Sequence, residues 1–345
     1  MKMQSRHVKK LLHRKHLFLF IISFVIALSG SLTSCVEQLR SKWYFKEAGT
    51  LLWLDESYSD ETIKAAIGEV LDHSSMIVAQ ASWSPSEASL DNTIQWYAQL
   101  AKDHGKSLMV NVDWLDNDRF ETRGGDWSFA DEEVRQQFQD ELKAVVTKYS
   151  PDYLTVGVEV NYYGLTDSEG YSEFIKVYNA LKPELKKLHP KIKIGMSFQL
   201  ELLVGQHTNW QQDSTFEGLN AVVENLDYIG ISTYPDVYIP RGEELDALNH
   251  LDNICATYDL PVGITETGIS TLHFSDEQRI SYVQNIFSKM EKLDMKFLVW
   301  GAILDDTKEY EEESEWKKSI GLIKASGERK PELEDWETSI VKITN

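Results

Sequence analysis

Cysteine is nearly absent from the 345-residue chain, and two cysteines cannot build a disulfide framework. Cations are also sparse: 35 Lys+Arg stand against 55 Asp+Glu, a formal net charge of −20. That balance lacks the basic face that phosphate binding needs, which argues against a nucleic-acid partner. His73, His104, His189, His207, His250 and His273 are scattered, which disfavours a zinc site and a histidine-based triad. Ser82-Trp83-Ser84 lacks the Gly-x-Ser-x-Gly elbow of a serine hydrolase. No glycine-rich phosphate turn follows the first apolar run, where the chain reads Asp55-Glu56-Ser57-Tyr58. What is present is a globular balance, 42% hydrophobic and 26% charged.

The first residues form a separate object. Lys2, Arg6, Lys9, Lys10, Arg14 and Lys15 precede the run LFLFIISFVIAL at 17–28, with no acid among them. A basic segment followed by an apolar one is the pattern of a secretory signal. The run is shorter than the roughly 20 residues needed to span a bilayer as a helix. Leu32-Thr33-Ser34-Cys35 then resembles the bacterial lipobox, in which the signal is cut before a cysteine that becomes lipidated. Residues 1–34 are therefore expected to be a lipoprotein signal, Cys35 the lipidation site, 35–46 a tether and 47–345 the functional domain. An uncleaved anchor and an ordinary signal with a coincidental cysteine are the alternatives. The lipid would hold a soluble domain at a membrane in the cell envelope, outside the cytoplasm, without spanning it. Cys255 then has no partner, and reads as a small buried hydrophobe rather than a redox group.

Beyond Cys35, short continuous apolar runs fall at 49–54, 76–82, 107–112, 153–158, 192–197, 228–233, 262–265 and 297–302. Continuous rather than alternating runs describe strands covered on both faces. Helical periodicity fills the intervals at 60–71, 131–149, 171–188, 243–258, 275–290 and 316–325, with Ser59 and Ser275 as N-caps and Gly105 closing a helix. Eight strand–helix units predict an α/β fold, a (β/α)8 TIM barrel.

Such barrels keep their chemistry at the C-terminal ends of the strands. Those ends carry Trp53, Trp83, Asp113-Trp114, Glu159, Asn161, Gln199, Tyr234, Glu266 and Trp300. Two glutamates among aromatic and amide side chains suit glycosidic bond cleavage, in which one carboxyl protonates the leaving oxygen and the other attacks or activates water. Tryptophan and tyrosine offer sugars a flat apolar face with a polar edge. Trp83, Trp114, Trp127 and Trp210 read equally as subsites or as packing under loops. Asp113, Asp116 and Asp118 lack calcium-loop spacing and read as a solvated loop. Glu201 reads as a surface residue.

The contexts of the glutamates narrow the reading. Thr155-Val-Gly-Val-Glu159-Val-Asn161 and Gly263-Ile-Thr-Glu266-Thr-Gly268 resemble strands 4 and 7 of clan A glycoside hydrolases. Asp227-Tyr-Ile-Gly-Ile-Ser-Thr-Tyr234-Pro235 resembles their strand 6, and Val299-Trp300-Gly301 their strand 8. Within the clan the chain is most similar to family 53, the endo-β-1,4-galactanases. The resemblance implies a retaining hydrolase of β-linked oligo- or polysaccharide that needs no cofactor and no metal. It implies Glu159 as general acid/base, Glu266 as nucleophile, Tyr234 as a hydrogen-bond donor to Glu266, and Trp300 as the floor of the adjoining subsite. On those roles Glu159 would have a raised pKa and Glu266 would stay ionised. Three positions depart from the pattern: Val158 replaces the clan's asparagine, Ala81-Ser82-Trp83 carries no strand-2 arginine, and Asp113-Trp114 stands where galactanases have histidine. Asn161, Gln199 and Asp113 are the candidates to supply the missing polar contact. The rival reading is a non-catalytic carbohydrate-binding lipoprotein on the same barrel.

Overall fold

The apolar runs form eight parallel strands: β1 Glu47–Thr50, β2 Met76–Ser82, β3 Ser107–Asp113, β4 Tyr153–Val156, β5 Lys193–Gln199, β6 Tyr228–Thr233, β7 Val262–Thr267 and β8 Phe297–Trp300. Neighbours in sequence pair from β2 through to β8, and β8 pairs with β1. One further parallel bridge, Leu51 to Val78, brings β1 against β2, so the sheet closes nearly into a barrel. The (β/α)8 expectation therefore stands. These features are seen in a computed structural model that describes residues 46–54, 57–86, 90–207, 210, 213–234, 246–308 and 312–344. The expected signal, Cys35 and the tether up to residue 45 lie outside the described residues. Among the described residues no helix is long and apolar enough to cross a membrane.

The described helices are α1 Asp60–His73, α2 Leu90–Asp103, α3 Glu132–Tyr149, α4 Val160–Thr166, α5 Ser168–Leu188, α6 Leu200–Leu203, α7 Glu217–Asn220, α8 His250–Thr257, α9 Asp276–Lys292 and α10 Glu332–Thr344. Ser59 caps α1, accepting from the Thr62 amide at 3.1 Å, and Ser275 with Gln278 forms a capping box on α9. Gly105 takes φ +61° just after α2. The helix expected over 316–325 is instead a 3-10 turn, Glu312–Ser319, followed by extended chain. The reason is backbone competition. The Ile323 amide donates to Ile303 at 2.9 Å, its carbonyl accepts from Asp305 at 2.8 Å, and the Gly321 amide donates to the Asp305 carboxylate at 3.0 Å. That segment is tied to the exit of β8, and the last helix forms only at Glu332.

The barrel interior is layered. Met76, Tyr153, Tyr228 and Phe297 begin the even strands, and the last three bring their rings to 5.2–6.4 Å of one another. Alternate strands supply a layer in this way throughout such barrels. Glycine makes room for the rings: a Cβ on Gly263 would lie 2.4 Å from the Phe297 ring. Above them a small polar layer joins Thr155 to the Tyr228 hydroxyl at 2.9 Å and Ser197 to Thr265 at 2.5 Å. Filling the barrel's lower part lifts any ligand space to its C-terminal mouth.

Gly157 controls how β4 reaches that mouth. Its φ is +102°, and a Cβ there would lie 2.3 Å from Val160 and 2.5 Å from the Trp114 ring. Gly157→Ala is expected to lower stability by about 2 kcal/mol or more. Urea denaturation compared with the parent protein measures this, and an unchanged midpoint would refute it.

Candidate active site

Alternation along the strands decides which side chains reach the mouth. Gln80 and Ser82 on β2 and Asp113 on β3 line a cavity of about 410 Å³ together with Glu159, Tyr234 and Glu266. The residues one step out of phase do not. Trp83 follows Ser82 and lies in an aromatic cluster, 4.8 Å from Phe138 and 5.0 Å from Trp127. Trp114 follows Asp113 and packs on Phe129 and Phe174 at 5.1 and 4.7 Å. Trp300, three steps beyond the inward Phe297, is fully buried against Tyr282 and Trp336, and its indole N–H donates to the Ile320 carbonyl at 2.8 Å. These three expected sugar-binding residues are outward core packing. The aromatic faces at the cavity are instead Trp53, Tyr58, Tyr97, Tyr234 and Trp316.

Glu159 leaves β4 in an unusual conformation, φ 52° and ψ 43°, directly before α4. Left-handed backbone at a non-glycine residue costs on the order of 1 kcal/mol and persists where surrounding contacts enforce it. Here they do. The Ser232 hydroxyl donates to Glu159 Oε1 at 2.6 Å, and Arg119 Nε lies 2.8 Å from Oε2. Ser232 is also the register partner of Glu266 across the β6–β7 pairing, beside an irregularity that turns Glu266 toward the mouth. Strand β6 thus links the two glutamates.

Arg119 was not anticipated. It comes from a hairpin between β3 and α3, closed by the Leu115–Thr122 bridge and by the Asp116 amide donating to Glu121 at 2.9 Å. The Asp116 carboxylate accepts the Phe120 amide at 3.0 Å, so this aspartate is a turn-former. Arg119, itself at φ 66°, points its guanidinium back into the barrel, with Nη1 2.7 Å from both oxygens of Asp113. A cation therefore does reach the carboxylates, from the third loop rather than from strand 2. The β8 side meets the hairpin through Lys317, whose ammonium donates to the Asn117 carbonyl at 2.9 Å and also lines the cavity.

Glu266 is almost fully enclosed. Burial, reinforced by the neighbouring Glu159 charge, pushes its carboxyl up to about 8, against the partial relief of Arg119 and a hydrogen bond from Gln80. This is opposite to the ionised state implied for it by the family resemblance. Val158, in the clan's asparagine position, is buried and apolar. Asn161 and Gln199 are spent on each other's surroundings: Asn161 Nδ2 donates to the Gln199 carbonyl and its Oδ1 accepts the Gln199 amide, both at 2.9 Å. Gln199 caps α6 and donates to Glu201. Asp113 alone of the three proposed substitutes lines the cavity. Glu201 is no surface residue; it is fully buried, accepts from Thr233 at 2.6 Å, and burial pushes it up to about 7. Cys255 is partly buried with its thiol pushed up to about 11, as an inert packing residue should be.

No protein-family model and no curated protein sequence matches the chain. Solved structures that match the chain in fold include glycoside hydrolases. A family 39 glycoside hydrolase from Bacteroides cellulosilyticus is 14% identical with a TM-score of 0.61, over 86% of this chain and 64% of that one. A subfamily 5_18 glycoside hydrolase from Bifidobacterium longum, in complex with Manβ1-4GlcNAc, is 14% identical with a TM-score of 0.66, over 86% and 78%. An exo-β-1,4-mannosidase from an Opitutaceae bacterium is 11% identical with a TM-score of 0.68, over 87% and 60%. The chain thus spans less than two thirds of the length of the first and the third. The likeness fixes the TIM-barrel fold.

The buried carboxyls carry a pH signature. Glu201 and Glu266 hold protons in the folded protein that the unfolded chain releases above about 4.5. The unfolded state therefore binds fewer protons, and stability contributed at low pH is lost as pH rises through that value toward about 7 and 8. Urea denaturation from pH 5 to 8 should show this fall, shallower in Glu201→Gln and in Glu266→Gln. A slope that neither substitution alters would contradict it.

Proposed function

We propose that the chain is a retaining glycoside hydrolase acting on a β-linked glycan, with Glu159 and Glu266 as its two working carboxyls. The observation that carries this reading is their convergence, each nearly fully buried, on one aromatic-edged cavity at the C-terminal mouth of a (β/α)8 barrel. Burial and the Glu159 charge beside it raise the affinity of the Glu266 carboxyl for a proton. The shared fold with glycoside hydrolases supports the same class. Trp53, 40% exposed beside the cavity, offers a face for a sugar ring. The chemistry asks for no cofactor. Lipidation at Cys35 would hold the barrel at a membrane surface, where polymeric glycan arrives from outside the cytoplasm. Loss of membrane association in Cys35→Ala tests that part.

A second reading, a carbohydrate-binding protein without turnover, draws on two observations. Both oxygens of Glu159 are already bonded, and Val158 provides no polar contact where the clan has an amide.

Residues 36–345 should release reducing sugar from one member of a panel of β-galactans, mannans, glucans and xylans, extended to aryl β-mannosides and β-glucuronides. Glu159→Gln and Glu266→Gln should each reduce that release by about 10³-fold or more. Silence across the panel from folded protein that still binds one of these glycans would select the second reading.

A further inference from the structure

The acceptors of the acids at the mouth are largely engaged within the protein, whereas the donors of its cations are not. Asp113 receives Arg119 Nη1 on both oxygens at 2.7 Å and the Leu115 amide on one of them at 3.2 Å. Glu159 meets the Ser232 hydroxyl on one oxygen and Arg119 Nε on the other. Glu266 accepts from Gln80. Asp116 and Asp306 accept amides of their own loops, at 3.0 and 2.9 Å. The cations of the same cavity keep N–H groups in surplus. Arg119 spends Nη1 and Nε on the acids, and its Nη2 meets no acceptor among the described residues. Lys317 gives one N–H to the Asn117 carbonyl at 2.9 Å, two positions from Arg119 on the hairpin, and forms no ion pair with a described residue. Arg123 gives Nη2 to the Leu115 carbonyl at 3.1 Å, and its Nε is buried without a partner.

Unspent donors on cations favour a ligand that brings acceptors together with negative charge. A neutral hydroxyl can accept such an N–H but leaves the charge behind it uncompensated. Burial, and after it the nearby Arg119 charge, holds the Lys317 ammonium below its usual pKa, and an anion bound by both side chains would relieve both effects. Repulsion from the acids is limited, because Glu266, pushed up to about 8, is largely uncharged at neutral pH. The chain as a whole, at −20, offers an anion no general attraction, so selection would fall to these local cations. We propose, resting on the glycosidase reading, that the sugar bound at this mouth is anionic, its carboxylate or sulfate group held by Arg119 Nη2 and the Lys317 ammonium, with Lys317 setting the specificity for charge. Uronic-acid and sulfated glycans share this chemistry.

Calorimetric titration of the protein tests this without turnover. The probes are methyl β-glucuronide and methyl β-galacturonide, methyl β-glucoside and methyl β-galactoside, and the 6-O-sulfates of the last two. At least one charged sugar should bind about 10²-fold more tightly than its neutral counterpart. Raising NaCl from about 50 to about 500 mM should weaken that binding and not that of the neutral sugars. Lys317→Met should cut the preference by about 10-fold or more, and Lys317→Arg should retain most of it. Tighter binding of the carboxylates names a uronic acid, and tighter binding of the sulfates a sulfated sugar. The same preference should appear in kcat/KM for the corresponding aryl β-glycosides and fall in Lys317→Met by a similar factor. Equal binding of charged and neutral sugars, no binding of any charged sugar, or a preference that Lys317→Met leaves intact overturns the inference. Charged sugars that bind through Lys317 while no aryl glycoside turns over would leave the ligand class standing and remove the glycosidase reading. Turnover of neutral glycosides with no preference for charge would do the opposite.

Discussion

The mouth of this barrel depends on one largely enclosed guanidinium, that of Arg119. Asp113, Glu159 and Glu266 converge on one small cavity, and three acids so placed repel each other and pay for lost hydration. Arg119 offsets both costs, with Nη1 shared by the oxygens of Asp113 and Nε given to Glu159. Removing one member of such a buried arrangement leaves an uncompensated charge, a loss of about 3–5 kcal/mol in comparable pairs. The left-handed backbone at both Arg119 and Glu159 is sustained by the same contacts. Strain and charge at the site are therefore balanced by one interaction that spans the β3 and β4 exits.

The rest of the barrel explains why that interaction lies where it does. Aromatic rings from β4, β6 and β8 fill the lower interior, and hydroxyl pairs cover them. Ionisable groups have room only at the top, where water and the hairpin can reach them. The hairpin itself is held by the Asp116 turn and by Lys317 from the opposite side of the mouth. The loops are thus joined across the cavity, and the Arg119 clamp is part of that closure.

Much of the barrel was legible along the chain. Each continuous apolar run became a strand, with edges displaced by four residues at most, and Ser59 and Ser275 capped the helices expected of them. Both glutamates were found because strand ends are fixed by the fold. Trp83, Trp114 and Trp300 were misplaced because strand continuity hides phase: a run buried on both faces gives no sign of which residue points inward. The phase was recoverable only by counting from a residue known to face in, such as Asp113 or Phe297. Glu201 was misplaced because a carboxyl beside a strand end looks the same whether it meets water or a threonine.

By itself the sequence determined the eightfold strand–helix rhythm, the caps, and the pair of glutamates at two strand ends, because these follow from local periodicity and from short-range hydrogen bonding. The tertiary structure decided which aromatic residues face the cavity, and that Arg119 stands between Asp113 and Glu159. It also decided that Glu266 is enclosed, with Gln80 as a hydrogen-bond partner and Arg119 as a neighbouring cation. Those outcomes rest on side chains that meet from separate loops and strands, and on burial that raises the cost of charge. Neither has any signature in the order of residues along the chain.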